Sequence, residues 1–176
     1  MLIPALALLA PAIAQTQPQA KSDLTADKLV HEGNLLRGVA HARATIAGVT
    51  VAADEATFHT DTGELELRGH AHALLPARSD HTLFRYGTGS LVTDQPVAVT
   101  ADRITIKNEL LQASGNVAVV PADPEMRGAR LHGDELYMYL HIADGTLKGN
   151  VRTVKIPDNT TDRFAKRPIF PPDIVK

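Results

Sequence analysis

Two histidines stand one residue apart in the stretch "LRGHAHALLP", residues 67–76. On a β-strand, His70 and His72 would point to the same face, and two imidazoles so placed can begin a metal site. A protein metal site needs at least three ligands from the chain, so the pair must find a partner elsewhere. Whether these rings bind a metal or face water depends on the elements that carry them.

The chain contains other polar groups that could do chemistry, but their spacing is unsuitable. Glu64 and Glu66 flank an apolar residue on a predicted strand, so both carboxylates point away from the core. The residues of "RSDH", 78–81, are consecutive, so their side chains diverge and cannot form a Ser-His-Asp triad. There is no Gly-x-Ser-x-Gly motif. We therefore predict no catalytic residue, no cofactor and no resident metal.

The His-x-His pair still leaves one enzymatic alternative. Cupins, which are all-β jelly rolls, use such a pair on a strand, with an upstream glycine and a following glutamate. Here Gly63 stands upstream, but residues 74–78 contain no glutamate. A cupin-like metal-dependent enzyme using His70 and His72 is thus kept as an alternative that lacks a third ligand.

Composition narrows the function classes further. The chain has 176 residues, of which 44% are hydrophobic and 22% charged, the balance of a globular domain. Its formal net charge of −2 gives no basic surface for phosphate backbones, so nucleic acid is not an expected partner. The absence of cysteine excludes disulfides, thiolate nucleophiles and cysteine metal sites.

The two ends of the chain differ from its middle. Residues 1–14 form an apolar run that ends in Ala-Ile-Ala, which is typical of a cleaved signal peptide and predicts export to the periplasm. If this run is not cleaved, it predicts an inner-membrane anchor. A polar leader, 15–21, precedes the predicted domain at 22–156, and a Pro-rich tail follows at 157–176.

The middle of the chain repeats one pattern four times. Each unit has an apolar alternation, a small residue followed by Asp, a second alternation, a turn, a third alternation and a glycine. The aspartates are Asp27, Asp54, Asp102 and Asp134, and the closing glycines are Gly38, Gly69, Gly115 and Gly149. Period-two alternation with turn residues predicts antiparallel hairpins, so the predicted fold class is all-β.

The alternation changes phase at each aspartate, which predicts a bulge or corner at the Ala-Asp step. Recurrence in all units favours a structural role for this Asp, such as a cap on the bulge backbone. On the following strand, the apolar set runs through the glycine and includes Ala40, Ala71 and Ala113. In this frame His70 and His72 fall on the outward, polar face. Between the second and third units, residues 76–96 predict one irregular strand around "HTLFRY" and a loop at Gly87 to Gly89.

The repeats carry a family resemblance. "TADRITIKNELLQASGNVAVV" and "HGDELYMYLHIADGTLKGNVRTV", with weaker copies at 24–42 and 49–74, resemble the OstA/LptA-like domain of the lipopolysaccharide transport machinery. The resemblance implies a twisted, partly open β-jelly roll that binds lipopolysaccharide or lipid A, carries or bridges it between the membranes, and catalyses nothing. It fits both a bridging and an anchored subunit. A structural β-repeat scaffold protein is the remaining alternative.

In that reading, the inward side chains line a groove for acyl chains. They are Leu29, Leu36, Val51, Phe58, Leu65, Leu67, Ala71, Ala73, Val99, Ile104, Ile106, Leu111, Val117, Val119, Leu136, Met138, Leu147 and Val151. The implied partners are the inner-membrane and outer-membrane components of the machinery, reached by edge-strand addition. The first strand, "LTADKLV", and the last, "GTLKGNVRTV", are the predicted edges, so head-to-tail self-association is expected as well.

Overall fold

The computed structural model describes residues 23–122 and 129–155, and every element in these ranges is a β-strand. The predicted signal peptide (1–14), polar leader (15–21) and Pro-rich tail (157–176) lie outside the described residues. The strands are β1 (Lys28–Glu32), β2 (Leu35–Ile46), β3 (Val49–His59), β4 (Glu64–Leu75), β5 (Thr82–Tyr86), β6 (Gly89–Thr93), β7 (Val97–Lys107), β8 (Leu110–Pro121), β9 (Ala129–Tyr139), β10 (Asp144–Lys148) and β11 (Arg152–Lys155).

All the strands belong to one 11-stranded sheet in the order β1-β2-β3-β4-β7-β8-β9-β10-β5-β6, with β11 paired to the first part of β9. Consecutive long strands pair antiparallel, as expected for a series of hairpins, and β10 pairs with β5 in parallel. The terminal strands β1 and β6 do not pair with each other, so the sheet stays open. The predicted all-β, partly open roll is confirmed.

One face of the sheet forms the core and is called the inner face below. Residues opposite one another in the ladder point to the same face, and Leu65, Ile106, Leu111 and Met138 follow each other across β4, β7, β8 and β9. Each of these side chains is at most 1% exposed. Burying one such side chain stabilises the fold by about 1.5–3 kcal/mol, which makes this row the centre of the core.

The predicted change of phase at each aspartate is present, and the extra residue lies on the neighbouring strand. Between β3 and β4 the register shifts between the pairs Ala52↔His72 and Glu55↔Arg68, which leaves Gly69 and His70 in the bulge. Both residues have positive φ, 71° and 45°. The same left-handed dipeptide recurs at Gly115 and Asn116.

The first repeat differs from the predicted alignment of the four units. Its bulge contains Ala40 and His41, with φ of 60° and 52°, and the register shifts between Val39 and Ala42. Ala40 is exposed, so its predicted inward placement is wrong, and Ala42 is the buried residue at that level. Glycine at position 38 permits close packing, because a Cβ there would lie 2.9 Å from the Cβ of Ala26.

The interruption at 76–96 also differs from the prediction. It forms a complete hairpin, β5 and β6, joined at Gly87 with φ of 51°, where we expected one strand and a loop. Phe84 of this hairpin is fully buried in the common core. The hairpin therefore extends the sheet beyond β10 and covers the edge that the last repeat was predicted to expose.

The bulge geometry makes a stability prediction for Gly115→Ala. Gly115 has a φ of +75°, and an added Cβ would overlap the Asp102 carboxylate. Gly48→Ala is the matched control, because its φ is +76° and nothing lies within 4 Å of the added Cβ. Both variants lose about 1 kcal/mol through the backbone, and Gly115→Ala loses about 1–3 kcal/mol more through crowding. Urea unfolding measures the difference, and equal losses would contradict the crowding.

Candidate functional site on the inner face of the sheet

His70 and His72 lie on the outer face, as predicted, because their neighbours Ala71 and Ala73 are fully buried on the inner face. The His70 side chain is 92% exposed, and its Nδ1 donates a hydrogen bond of 2.8 Å to Oδ2 of Asp54. In residues 23–122 and 129–155, no three His, Asp or Glu side chains come close enough together to hold a metal ion. The cupin-like alternative thus gains no third ligand from the described part of the chain.

The hydrogen bond of His70 is one of four equivalent contacts, which we call the Asp clasps. In each clasp the repeated aspartate accepts a hydrogen bond from a His or Asn side chain; Asp27 lies just before β1, and Asn150 lies between β10 and β11. The four clasps join Asp27 to His41, Asp54 to His70, Asp102 to Asn116, each at 2.8 Å, and Asp134 to Asn150 at 3.0 Å. Their recurrence supports the predicted structural role of the aspartates.

Most of these aspartates accept a hydrogen bond from a side chain of the neighbouring segment and not from its backbone. Only the Asp134 clasp, among those in the described residues, also includes a backbone donor, the amide of Asn150 at 3.0 Å. The sequence signal for these contacts is a dipeptide in each unit, Gly-His or Gly-Asn in the last three units and Ala-His in the first. Asn is one of the few non-glycine residues that enter the left-handed region readily, and its side chain can donate to the carboxylate.

The clasp changes the acidity of His70. The hydrogen bond to Asp54 raises the His70 pKa above its usual value, the charge of Asp54 raises it further, and desolvation opposes both effects weakly. Because the pKa is higher in the folded state than in the unfolded state, protonation stabilises the fold. This contribution is complete below the unfolded pKa and is lost as the pH rises through the folded pKa.

We predict that His70→Asn removes this pH dependence and keeps the fold, since Asn116 makes the same clasp in the third repeat. The difference in Tm between the wild type and the variant should be largest below about pH 6.5, the usual histidine value, and should fall as the pH rises above it. His72→Asn is the control, because it leaves the His70 clasp intact and should follow the wild type. A His70→Asn variant whose Tm changes with pH as the wild type's does would contradict the assignment.

The other polar groups considered for catalysis are paired on the outer face. Glu66 lies between Arg68 and Arg103, with the Arg103 Nε at 2.8 Å, and Glu64 accepts from Lys107 at 2.9 Å. In "RSDH", Arg78 chelates Asp80 with two hydrogen bonds of 2.8 and 2.7 Å. These exposed ion pairs contribute little stability each, and they leave no triad.

The predicted groove residues lie on the inner face, and nearly all are buried or pack against the core. Those with at most 3% exposure are Val51, Leu65, Leu67, Ala71, Ala73, Val99, Ile104, Ile106, Leu111, Val117, Val119, Leu136, Met138 and Leu147. Leu36, Phe58 and Val151 are half-buried against them. Burial does not distinguish a filled core from a lined groove, so the lining role stays a prediction.

Leu29 departs from this pattern. It stands opposite Gly38 in the ladder, so its register is that of the inner face, but 48% of it is exposed. Leu29 is exposed because β1 is the last strand on this side of the sheet in the described residues, and its role in lining the groove stays a prediction.

Exposure on the inner face rises toward both ends of the sheet. One row of the ladder runs from His31, exposed, through Leu36 and Phe58, half-buried, to the fully buried Leu65. From the other end, the row begins at the half-buried Leu91 of β6. We call the gap between the unpaired end strands β1 and β6 the opening; apolar side chains beside it are partly exposed, whereas those at the centre of the sheet are buried.

A separate cleft of about 330 Å³ lies on the outer face around the fourth clasp. It is lined by Asn116, Val117, His132, Gly133, Asp134, Asn150 and Arg152. This lining is largely polar, and its amides are already bonded, Asn150 to Asp134 and Asn116 to Asp102. Val117 is its hydrophobic lining residue, and none of its lining residues belongs to the strands β1 and β6 beside the opening.

The face assignment predicts opposite effects at adjacent residues of β8. Leu111 is fully buried, and Gln112 next to it is exposed on the outer face. Leu111→Asp should cost more than about 3 kcal/mol, because it removes core packing and buries a carboxylate without a partner. Gln112→Asp should change the free energy of unfolding by less than about 0.5 kcal/mol. Chemical denaturation measures both, and the reverse order would mean that the faces are exchanged.

Comparison with known proteins supports the fold. The sequence matches no protein-family model and no curated protein. A solved structure from Pseudomonas aeruginosa is similar: LptH, the LptA-homologous periplasmic component of the lipopolysaccharide transport device. The TM-score is 0.58 at 10% sequence identity, over 78% of this chain and 96% of that chain. In the described ranges no helix is long and apolar enough to cross a membrane. This chain, an open roll of β-strands with an apolar inner face, thus has a fold similar to that of LptH.

Proposed function

We propose that this chain is a non-catalytic, exported lipid-binding domain that holds the acyl chains of lipopolysaccharide or lipid A for transport across the periplasm. The observation that carries the proposal is the half-buried apolar rim of the inner face, which includes Leu29, Leu36 and Phe58 on one side of the opening and Leu91 on the other. The similar fold of LptH, a periplasmic component of lipopolysaccharide transport, supports it.

The physical basis is burial of hydrocarbon. Each methylene group transferred from water to an apolar surface gains about 0.8 kcal/mol, so a few partly covered acyl chains need no polar contact for useful affinity. A site with exposed and half-exposed side chains at its rim also releases its ligand without unfolding. These are the properties of a carrier, which must bind and then transfer its lipid.

Partner components would extend the sheet at its free edges. The strand β1 is one such edge, as the sequence predicted for the first repeat. The corresponding prediction for the last repeat needs correction, because β10 is covered by β5 of the same chain. Strand addition by an inner-membrane or outer-membrane component is therefore proposed at β1.

The test uses adjacent residues of β1. The full chain is expressed in a host with a lipopolysaccharide-containing outer membrane, purified under native conditions and analysed by mass spectrometry for bound lipid. Leu29→Asp places a charge on the inner face at the opening, whereas Val30→Asp places the same charge on the outer face, opposite Arg37. Both positions are at least partly exposed, so both variants should fold.

The wild type and Val30→Asp should retain acylated glycolipid, and Leu29→Asp should lose at least about tenfold of it, because a carboxylate opposes the apolar contact. Purified wild-type protein that holds no lipid and takes up no added lipid A would refute the proposal and favour a structural repeat protein. Equal retention by the two variants would refute the location of the site.

A further inference from the structure

The strand β6 forms one end of the sheet, and its edge is chemically unusual. Its sequence, "GSLVT", has no charged residue and no proline, and among the described strands it pairs with β5 alone. An edge strand presents unpaired backbone N–H and C=O groups, and proteins usually protect such edges with lysine, proline, a bulge or an inward-pointing charge. None of these devices is present in β6.

The other free edges carry such protection. The strand β1 begins with Lys28 and ends with Glu32, and its His31 points to the inner face opposite Leu36. The strand β11 begins with Arg152 and ends with Lys155. The contrast indicates that β6 is the least protected free edge in the described part of the chain.

The register of the hairpin identifies the groups that are free to pair. Tyr86 and Gly89 close the two-residue turn between β5 and β6, so they form a hydrogen-bonded pair, as do Phe84 and Leu91 two residues further on. Ser90 and Val92 alternate with these residues, and their backbone groups point away from β5. The side chain of Val92 is also 56% exposed.

We propose that β6 pairs antiparallel with β6 of a second copy of this chain, around a two-fold axis at Leu91. In this register Ser90 of each copy stands opposite Val92 of the other, so the free backbone groups of both strands pair. The two Leu91 side chains become neighbours on the inner face. The inner faces of the two copies thereby form one continuous apolar surface.

Charge favours a second β6 over β1 as the occupant. Two uncharged strands pair without desolvating an ion, whereas β1 would bring Lys28 and Glu32 to the new ladder. Asp94, the nearest charge after β6, follows Thr93, so the two-fold axis places the two copies of Asp94 at opposite ends of the paired strands. The inference does not depend on the proposed lipid ligand.

The first experiment uses the absence of cysteine from the natural chain. In the proposed register, the two Leu91 residues form a pair without backbone hydrogen bonds, with Cα atoms about 4.5 Å apart, within disulfide range. Leu91→Cys should give a homodimer under mild oxidation on non-reducing gels. Gln112→Cys, on the exposed face of β8, is the control for random collision. Crosslinking of Leu91→Cys no faster than the control would overturn the proposal.

The second experiment separates the two edges. Val92→Pro, added to Leu91→Cys, removes a free N–H and keeps the hydrogen bonds to β5, so it should lower the crosslinking rate at least about tenfold. Val92→Lys provides the same test if the proline variant is unstable by circular dichroism. His31→Pro changes the β1 edge and should leave crosslinking unchanged. Crosslinking that His31→Pro abolishes, or that neither Val92 variant slows, would refute pairing through β6.

Discussion

The fold depends on keeping one face of the sheet apolar while each long strand bends at the same level. Strict alternation would move every later side chain to the wrong face wherever a strand gains or loses one residue. The bulge adds that residue as a left-handed dipeptide, such as Gly69 and His70, and the clasp to Asp54 holds it on the outer face. The inner face therefore continues from Leu67 to Ala71 without a polar interruption.

This constraint explains the side chains on both sides of the bend. A bulge bends the strand and increases its local twist, which changes the shape of the inner face at that level. Small residues occupy this level, with Ala42 opposite Ala53 and Ala71 opposite Ala101. Larger side chains such as Leu65 and Ile106 fill the interior away from the bend. The scarcity of aromatics, only 4% of the chain, agrees with a core made of aliphatic rows.

The sequence predicted the features that follow from local alternation and recurrence. The all-β class, the phase change at the aspartates, the inner set around Ile104 and Val117, and the outward histidines could all be read from spacing. The prediction for the first repeat is wrong because it aligns Gly38 with the closing glycines that mark the other units. The marker is the left-handed conformation followed by a clasp donor, and Ala40 with His41 satisfies it without glycine.

Other features depend on contacts between distant segments, and alternation carries no information about them. The parallel pairing of β5 with β10 joins Phe84 to Gly145, which no local pattern indicates. The exposure of Leu29 depends on where the sheet ends, since its phase is that of the core. The candidate site was thus predictable as a set of inward residues, whereas the position of its opening was not.

The inserted hairpin alters both the core and the ends of the sheet. It buries Phe84 and also Thr82, which is only 1% exposed and whose Oγ1 has no hydrogen-bond partner within residues 23–122 and 129–155. A buried hydroxyl without a partner costs about 1–3 kcal/mol, so the packing of Phe84 and the added ladder must exceed that loss. By covering β10, the hairpin also replaces the edge of the last repeat with an uncharged edge of its own. A segment that interrupts the repeats thus determines which surface of the sheet remains for other chains.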